Sequence, residues 1–467
     1  MTAPVYPTSS QRTIRLVDLG AVHKFILAAI LFAAALAGSP SAHAVPSFAR
    51  QTGKPCSDCH TVAFGPALTA YGRQFKLNGY VWGDAPNPLP LLALMVEGGF
   101  THTAKSQEDP PAAHFANNDN LSIDQVSAFI AGRVTEHLGV FSQITYSGED
   151  RHTSWDNLDI RYARTGTIGD VSFVYGISIN NNPTVQDLWN STPAWGFPYI
   201  SSALAPTPGA APIITGTLGQ VSLGATAYVM VNDHFYLEAG GYRGLSNRWL
   251  RNAGLTDDDN LNLDGIAPYW RAAWQGDVGQ GNYSVGLVGI DAKFRPDPST
   301  ELTDHFRDLG FDATYQYLDA SDNALTVNFA HIRETQNLDA SFAAASVEAD
   351  SNHLDSTTLD VTYAYKQTYV IGAGLFDTRG GEDNVLYAPE PLGGSNNAVP
   401  NSRGYTLQLE YVPFGKLTSF ARPWLNVRLG LQYIGYTRFN GGGSNYDGFG
   451  RAASDNNTLF GFFWFAL

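Results

Sequence analysis

Apolar and polar residues alternate with a period of two along most of the chain, in short runs that polar segments separate. In residues 405–411, Tyr405, Leu407 and Leu409 alternate with Thr406 and Gln408. This period predicts strands with one apolar and one polar face. About sixteen such runs are present, and they begin near Leu91, Ser122, Gly139, Ser154, Val171, Gly216, His234, Gly265, Tyr283, Asp308, Leu325, Thr358, Tyr369, Gly404, Trp424 and Thr458.

Long and short connections alternate between these runs. Tight turns lie at residues 231–233, 319–323 and 366–368, and long loops lie at residues 105–120, 180–215, 246–264, 335–352, 380–402 and 440–457. Bacterial outer-membrane barrels have an even number of antiparallel strands, short periplasmic turns and longer outer loops. The pattern therefore predicts an all-β fold, an antiparallel outer-membrane β-barrel of about 16 strands in contact with lipid.

The same alternation predicts which side chains face the barrel lumen. A charged side chain that faces lipid at the bilayer midplane costs about 2–4 kcal/mol. The charged strand residues are therefore predicted to face the lumen, and these are Glu97, Arg133, Asp159, Arg161 and Arg428. Met95 shares the face of Glu97.

Composition and charge agree with a barrel. Only 15% of the 467 residues are charged, whereas soluble domains carry about 25%. The formal net charge of −15 argues against binding to nucleic acid and favours cationic partners.

The N-terminus has the features of an export signal. An apolar run from Phe25 to Ala37 follows basic residues, and Ala42-His43-Ala44 has the pattern of a cleavage site. We predict a signal peptide at residues 1–44, a cytochrome c-like segment at 45–85 and a porin-like transmembrane barrel at 86–467. The stiff stretch Pro86–Pro90 would link the last two.

The sequence Cys56-Ser57-Asp58-Cys59-His60 is the attachment signature of a c-type haem. Cys56 and Cys59, the only cysteines of the chain, would bond covalently to one haem c, and His60 would bind its iron. A disulfide redox motif normally lies near a βαβ unit, and a zinc site needs a second ligand pair. Neither accompanies this motif.

A short helix is predicted after the motif, from about Pro66 to Asn78, with Gly79 just beyond its end. Leu68, Tyr71 and Phe75 recur on one of its faces, where they would cover the haem or pack as an ordinary amphipathic face. About forty residues cannot easily enclose a haem. We therefore predict that the segment uses the barrel lumen for its remaining walls.

The sixth iron ligand is left open by the sequence. Met95 is the tentative candidate because it faces the lumen, although it could simply line the barrel. A Met ligand would raise the reduction potential. His102, His114 and an open position are the alternatives. Arg133 and Arg161 would either pair with haem propionates or belong to a ladder of lumen charges.

Acidic pairs and triplets occur in the outer loops. Carboxylates attract divalent cations, so the loops would concentrate a metal-ion electron donor or merely solubilise the surface. The acidic clusters are Glu108-Asp109, Glu149-Asp150, Asp257-Asp258-Asp259, Glu348 with Asp350, and Glu382-Asp383.

The haem segment resembles the fused monohaem cytochrome–porins of iron-oxidising bacteria. The resemblance rests on Phe48-Ala49-Arg50-Gln51-Thr52-Gly53, Cys56-x-x-Cys59-His60-Thr61, Leu68-Thr69 and Gly72-Arg73-x-Phe75-Lys76-Leu77-x-Gly79-Tyr80, and it continues through the barrel in segments such as residues 124–127, 131–133, 180–189 and 195–199. It implies an iron:cytochrome c oxidoreductase of the outer membrane, which takes electrons from extracellular Fe(II) and passes them to a periplasmic c-type cytochrome.

Two other functions fit the sequence. A conduit of the same design could serve another extracellular donor, or an acceptor with outward electron flow. A diffusion porin could be gated by the redox state of its haem. In each case the haem segment would lie in the barrel lumen or at its periplasmic side.

Overall fold

A computed structural model describes residues 47–83 and 91–467. The predicted signal peptide and the predicted linker Pro86–Pro90 lie outside these ranges. None of the helices that these residues form is long and apolar enough to cross a membrane.

Sixteen antiparallel strands close into one barrel, in which each strand pairs with its neighbours in sequence and β1 pairs with β16. The predicted fold class and strand number are confirmed. The strands are β1 (Leu92–Thr103), β2 (Asn120–Arg133), β3 (Leu138–Ser147), β4 (His152–Ile168), β5 (Val171–Asn180), β6 (Ser222–Val231), β7 (Phe235–Gly244), β8 (Ala267–Val278), β9 (Gly281–Phe294), β10 (Asp304–Leu318), β11 (Ala324–Asn337), β12 (Ser351–Tyr365), β13 (Tyr369–Gly380), β14 (Ser402–Tyr411), β15 (Asn426–Arg438) and β16 (Thr458–Ala466).

The strands present an apolar face outward and a polar face inward. On β14 the side chain of Leu409 is 56% exposed, whereas that of Gln408 is 2% exposed. An apolar outer surface on a closed barrel is what a lipid environment requires, because closure leaves no unpaired strand edge. The prediction of inward-facing charges is confirmed for four residues that are almost fully buried, Glu97, Asp159, Arg161 and Arg428.

Long loops and short turns lie at opposite ends of the barrel, with three departures. The connection at residues 148–151 is a short turn at the long-loop end. Residues 412–425 form a long connection at the short-turn end. Residues 181–221, here called the inner loop, fold into the lumen instead of projecting outward. Trp189 Nε1 in this loop donates to Gln275 Oε1 on β8 at 3.0 Å. Two short helices, α4 (Asn247–Asn252) and α5 (Asp339–Ala343), lie in other long loops.

Residues 47–83, here called the plug, pack inside the barrel at the short-turn end. The plug contains α1 (Ser47–Thr52), α2 (Cys56–Cys59) and α3 (Ala70–Leu77). Tyr80 OH donates to Asp159 on β4 at 2.6 Å, and Asn426 Nδ2 on β15 donates to the Ala63 carbonyl at 2.8 Å. The segment therefore packs against the barrel wall inside the lumen.

The helix α3 is shorter than predicted. It begins at Ala70 because the Thr69 side chain caps it by accepting a hydrogen bond from Gly72 N at 3.2 Å. The predicted start at Pro66 is therefore wrong. The predicted end is confirmed, since Gly79 follows Leu77 and Asn78 with a φ of 75°.

Candidate functional site

A cavity of about 560 Å³ lies between the plug, the barrel wall and the inner loop. This volume is in the range of pockets that bind small molecules and cofactors. The four predicted haem-site residues all line it, namely Cys56, Cys59, His60 and Met95. Nine aromatic side chains also line it, from Phe48, Phe64, Phe75 and Tyr80 of the plug, Phe129, Phe141 and Trp464 of the barrel, and Trp195 and Tyr199 of the inner loop.

The haem motif forms a single helical turn that is held on two sides. His60 N donates to the Cys56 carbonyl at 2.9 Å, which closes the turn, and Thr69 N donates to the Cys59 carbonyl at 2.9 Å. On the opposite side Ser57 N donates to the carbonyl of Gly415 in the 412–425 connection at 3.1 Å. The two cysteines, three residues apart, therefore lie on one face of the turn.

The two thiols are free, and burial raises the pKa of both, that of Cys59 to about 12. Thiols that take part in disulfide exchange have a lowered pKa. The redox-motif alternative therefore finds no support in the surroundings of these cysteines. The structure does not support a zinc site either, because the described ranges 47–83 and 91–467 contain no group of three or more His, Cys, Asp or Glu side chains that could bind a metal.

Burial favours the neutral form of His60. Burial lowers the pKa of its imidazole to about 4, and the backbone at Gly65 and Ala67 offsets this only in part. Its Nδ1 is buried and makes no hydrogen bond within the described part of the chain. Metals bind the neutral form of histidine. Two free thiols, a neutral imidazole and an aromatic cavity of this size fit a covalently bound haem.

Met95 is the sulfur ligand candidate that the barrel brings to this cavity. Its side chain is 7% exposed and packs with Phe129 and Trp464. Met230 is buried in a separate cluster with Tyr236 and does not line the cavity.

The two histidine alternatives lie elsewhere. His102 Nδ1 is 2.6 Å from Asp119 at the long-loop rim, and His114 is exposed in the β1–β2 loop. Neither lines the cavity that contains His60. Of the three candidate residues, Met95 alone lines the cavity with His60.

Only part of the predicted haem-covering face lines the cavity. Leu68 and Phe75 line the cavity, whereas Tyr71 packs against Trp82 with 5.5 Å between ring centroids. Arg161 is paired with Asp159 at 2.7 Å, and Arg133 donates to the Gly83 carbonyl. Neither arginine lines the cavity, so the structure supports their interpretation as lumen charges.

Three fully buried arginines form ion pairs inside the barrel. Besides Arg161, Arg271 is bound to Asp312 at 2.8 Å and lies 3.2 Å from Asp187 of the inner loop. Arg428 is bound to Glu410 at 2.6 Å. Breaking a buried pair of this kind costs about 3–5 kcal/mol, so these contacts fix the inner loop and the wall strongly.

Of the aromatic side chains that line the cavity, Phe75 was predicted to face the haem, whereas those of the inner loop were not. Trp464 could have been placed on the inner face of β16, because its position follows the alternation of that strand. No sequence pattern places Tyr199 and Trp195 at the cavity, since only the inward folding of the inner loop brings them there.

No protein-family model matches the chain, and no curated protein matches it. Solved structures with a similar fold are porins at low identity. Pseudomonas putida OprB is 15% identical over 80% of this chain and 93% of its own, with a TM-score of 0.45. Salmonella typhi OmpF in complex with daunomycin is 12% identical over 80% and 97%, with a TM-score of 0.43. An anion-selective porin from Comamonas acidovorans is 10% identical over 80% and 98%, with a TM-score of 0.42.

Proposed function

We propose that this protein is an outer-membrane electron conduit that carries one haem c and connects extracellular Fe(II) with a periplasmic c-type cytochrome. The observation that carries the proposal is the convergence of Cys56, Cys59, His60 and Met95 on one largely apolar cavity inside the barrel. A bound haem c would supply a one-electron couple. The resemblance to cytochrome–porins supports Fe(II) as the donor.

The residues around the cavity have separate roles in this proposal. Cys56 and Cys59 would hold the haem covalently, while His60 and Met95 would bind its iron. A His–Met pair raises the potential, which suits electron acceptance from a weak reductant such as Fe(II). Phe64 and Trp464, whose ring centroids are 4.9 Å apart, would keep water from the site.

A filled lumen favours the conduit over a diffusion porin. Plug and inner loop are joined across the barrel by the Lys76 amino group, which donates to the carbonyls of Val185 at 2.8 Å and Asp187 at 2.6 Å. Burial lowers the pKa of this group to about 7. Arg271 then links Asp187 to Asp312 on the wall. Opening a pore through these contacts would require breaking buried charge-assisted hydrogen bonds, each worth about 1.5–3 kcal/mol.

A spectroscopic experiment tests the proposal. The chain is produced in a host that attaches haem c, purified in detergent, oxidised, and treated anaerobically with Fe(II). We expect haem that survives denaturation and is reduced by Fe(II). The double variant Cys56→Ala/Cys59→Ala should lack covalent haem, whereas Ser57→Ala, within the same motif, should retain it. Haem that dithionite reduces and Fe(II) does not would exclude Fe(II) as the donor, and an absence of covalent haem would exclude the conduit.

Single-channel conductance separates the conduit from a haem-gated porin. The conduit should pass little current whether the protein is oxidised or reduced. Substantial current in one redox state alone would favour the gated porin.

A further inference from the structure

The outer surface of the barrel carries a row of basic side chains at its long-loop end, on the side formed by β9 to β15. Among the described residues, Arg243 is the one Lys or Arg that faces outward in the long-loop half of β1 to β8. The chain as a whole has a formal net charge of −15, so the row is a local exception. Its members, here called the basic belt, are all exposed, and they are Lys293, Arg307, Arg333, Arg379, Arg403 and Arg438.

The centre of the basic belt has three guanidinium groups around one carboxylate. Arg403 on β14 lies directly opposite Asp377 of β13 on one side and Arg438 of β15 on the other. Arg379 and Arg403 approach the same oxygen, Oδ2 of Asp377, at 2.7 and 2.9 Å. Like charges directly opposite each other on neighbouring strands destabilise the pairing. A further anion beside these arginines would therefore be favourable.

The other arginines of the belt are only partly neutralised. Arg307 Nε is 3.1 Å from Asp291, and Arg333 Nη1 is 3.4 Å from Asp355, yet the two arginine side chains remain 64% and 60% exposed. A guanidinium group has five N–H donors in a planar arrangement that matches the oxygens of phosphate, so an arginine in an exposed ion pair can still bind one. The belt thus combines six cationic groups with three carboxylates.

The belt lies about one apolar band above a girdle of tyrosines. Tyr369 and Tyr411 face outward at the short-turn end, and their rings stack with 5.3 Å between centroids. Ile371 and Leu375 follow on the same face of β13 and are 57% and 59% exposed. From Tyr369 to Arg379 the strand runs about 34 Å at 3.4 Å per residue, or roughly 25 Å along the barrel axis at a tilt of about 35–45°. Outer-membrane barrels have an apolar band of about 25 Å between their interfaces. The belt is therefore at the level of the headgroups of the outer leaflet.

We infer that the basic belt binds the phosphate groups of anionic lipid headgroups in the outer leaflet, with Arg379, Arg403 and Arg438 at the centre of the site. Basic clusters at the headgroup level of membrane proteins bind anionic lipids in this way. Exposed apolar side chains below the belt, such as Leu375 and Leu407, would contact the acyl chains, which favours a lipid over free phosphate. Such binding does not depend on a haem in the lumen.

Diphosphorylated lipid A is the probe for the test, and the same lipid without its phosphates is the lipid control. The full chain is purified in a neutral detergent and titrated with each lipid, and native mass spectrometry counts the molecules bound. The phosphorylated lipid should bind more tightly. Arg403→Gln should weaken its binding about tenfold or more, because a hydrogen bond between charged groups is lost, and Arg379→Gln/Arg403→Gln should weaken it further. Arg243→Gln, the same change at an exposed arginine of the same end of the barrel, is the matched control and should bind like the unchanged protein.

Two further measurements make the outcome decisive. Heat-modifiable migration in electrophoresis reports the closed barrel, and binding is compared only among closed barrels. Inorganic phosphate at the same phosphate concentration should leave lipid binding unchanged, whereas displacement of the lipid would show a site for free anions and overturn the assignment to lipid. Equal binding of the two lipids, or equal affinity of Arg379→Gln/Arg403→Gln and Arg243→Gln for the phosphorylated lipid, would show that the belt is only a set of exposed ion pairs.

Discussion

The substitution Gly72→Ala tests whether the contact between α3 and the haem motif sets the geometry of the site. A Cβ at residue 72 would overlap the carbonyl oxygen of Cys59 and would lie 3.1 Å from its carbonyl carbon and 3.2 Å from its Cα. The carbon–carbon distances alone are roughly 0.5 Å shorter than the favourable separation of about 3.5–4.0 Å. The obstructing atoms belong to backbone, so no side-chain rotation relieves the overlap.

The expected loss of stability follows from two opposed effects. Forcing an extra methyl group into a packed interior costs about 1–3 kcal/mol. Replacing glycine by alanine within a helix gains about 1 kcal/mol. The net destabilisation should therefore be roughly 0–2 kcal/mol, a small change for a closed barrel. The larger effect should be local, because Thr69 N is bonded to the same Cys59 carbonyl and α3 must move relative to Cys59 and His60.

The assay compares haem content, visible spectrum and reduction potential of Gly72→Ala with those of Gly461→Ala. Gly461 lies on β16, and a Cβ there would meet no atom within 4 Å, so the control should be indistinguishable from the unchanged protein. Gly72→Ala should give a closed barrel with less attached haem or an altered haem spectrum. Equal haem content and equal spectra in the two variants would refute the argument that this close approach positions the motif.

Two further predictions concern the sixth ligand and an outer loop. Met95→Leu removes the thioether at similar volume, so it should lower the reduction potential of the haem and change its axial-ligand spectrum. The control Met230→Leu should change neither. Identical spectra for the two variants would exclude Met95 as a ligand. Burial alone would raise the pKa of Asp383, but the backbone N–H groups of Leu386, Glu348, Val385 and Ala349 outweigh it and lower that pKa. The loop contacts made by Asp383 should therefore be fully present above the ordinary Asp pKa of about 3.9 and be lost as the pH falls through the lowered native value. Asp383→Asn should speed limited proteolysis of this loop at pH 7, and cleavage at an unchanged rate, or protection that persists in acid, would contradict this.

The strands could be predicted from sequence because alternate residues face lipid and lumen, which favour apolar and polar side chains respectively. The predicted first residue of a strand was wrong by more than four residues only for β12 and β6, where this alternation is absent or overridden. β12 begins at Ser351 rather than near Thr358, since residues 351–357 are largely polar on both faces and pair with β11 through backbone hydrogen bonds. β6 begins at Ser222 rather than near Gly216, since the preceding residues belong to the inner loop.

The inward path of the inner loop could not be predicted, because its contacts are tertiary. Ile214 N donates to Asp308 on β10 at 2.8 Å, and Gln432 on β15 donates to the Ile200 carbonyl at 2.7 Å. No local pattern in residues 181–221 indicates these partners. For the site, the motif and strand parity identified Cys56, Cys59, His60 and Met95. Barrel closure, which places β16 beside β1, was needed to bring Trp464 to the same cavity.

The position of the cavity along the barrel limits which electron donors and acceptors a haem bound there could reach. The cavity begins at the short-turn end, where Asn426 and Ala466 line it, and reaches Glu97 midway along β1. Six residues separate Glu97 from Thr103 at the long-loop end of that strand, about 20 Å of strand at 3.4 Å per residue. At a tilt of about 35–45° this is roughly 15 Å along the barrel axis. A haem in this cavity would thus lie close to a partner at the short-turn end and far from a donor held at the outer loops. Fast transfer from outside would then require a donor that enters the barrel.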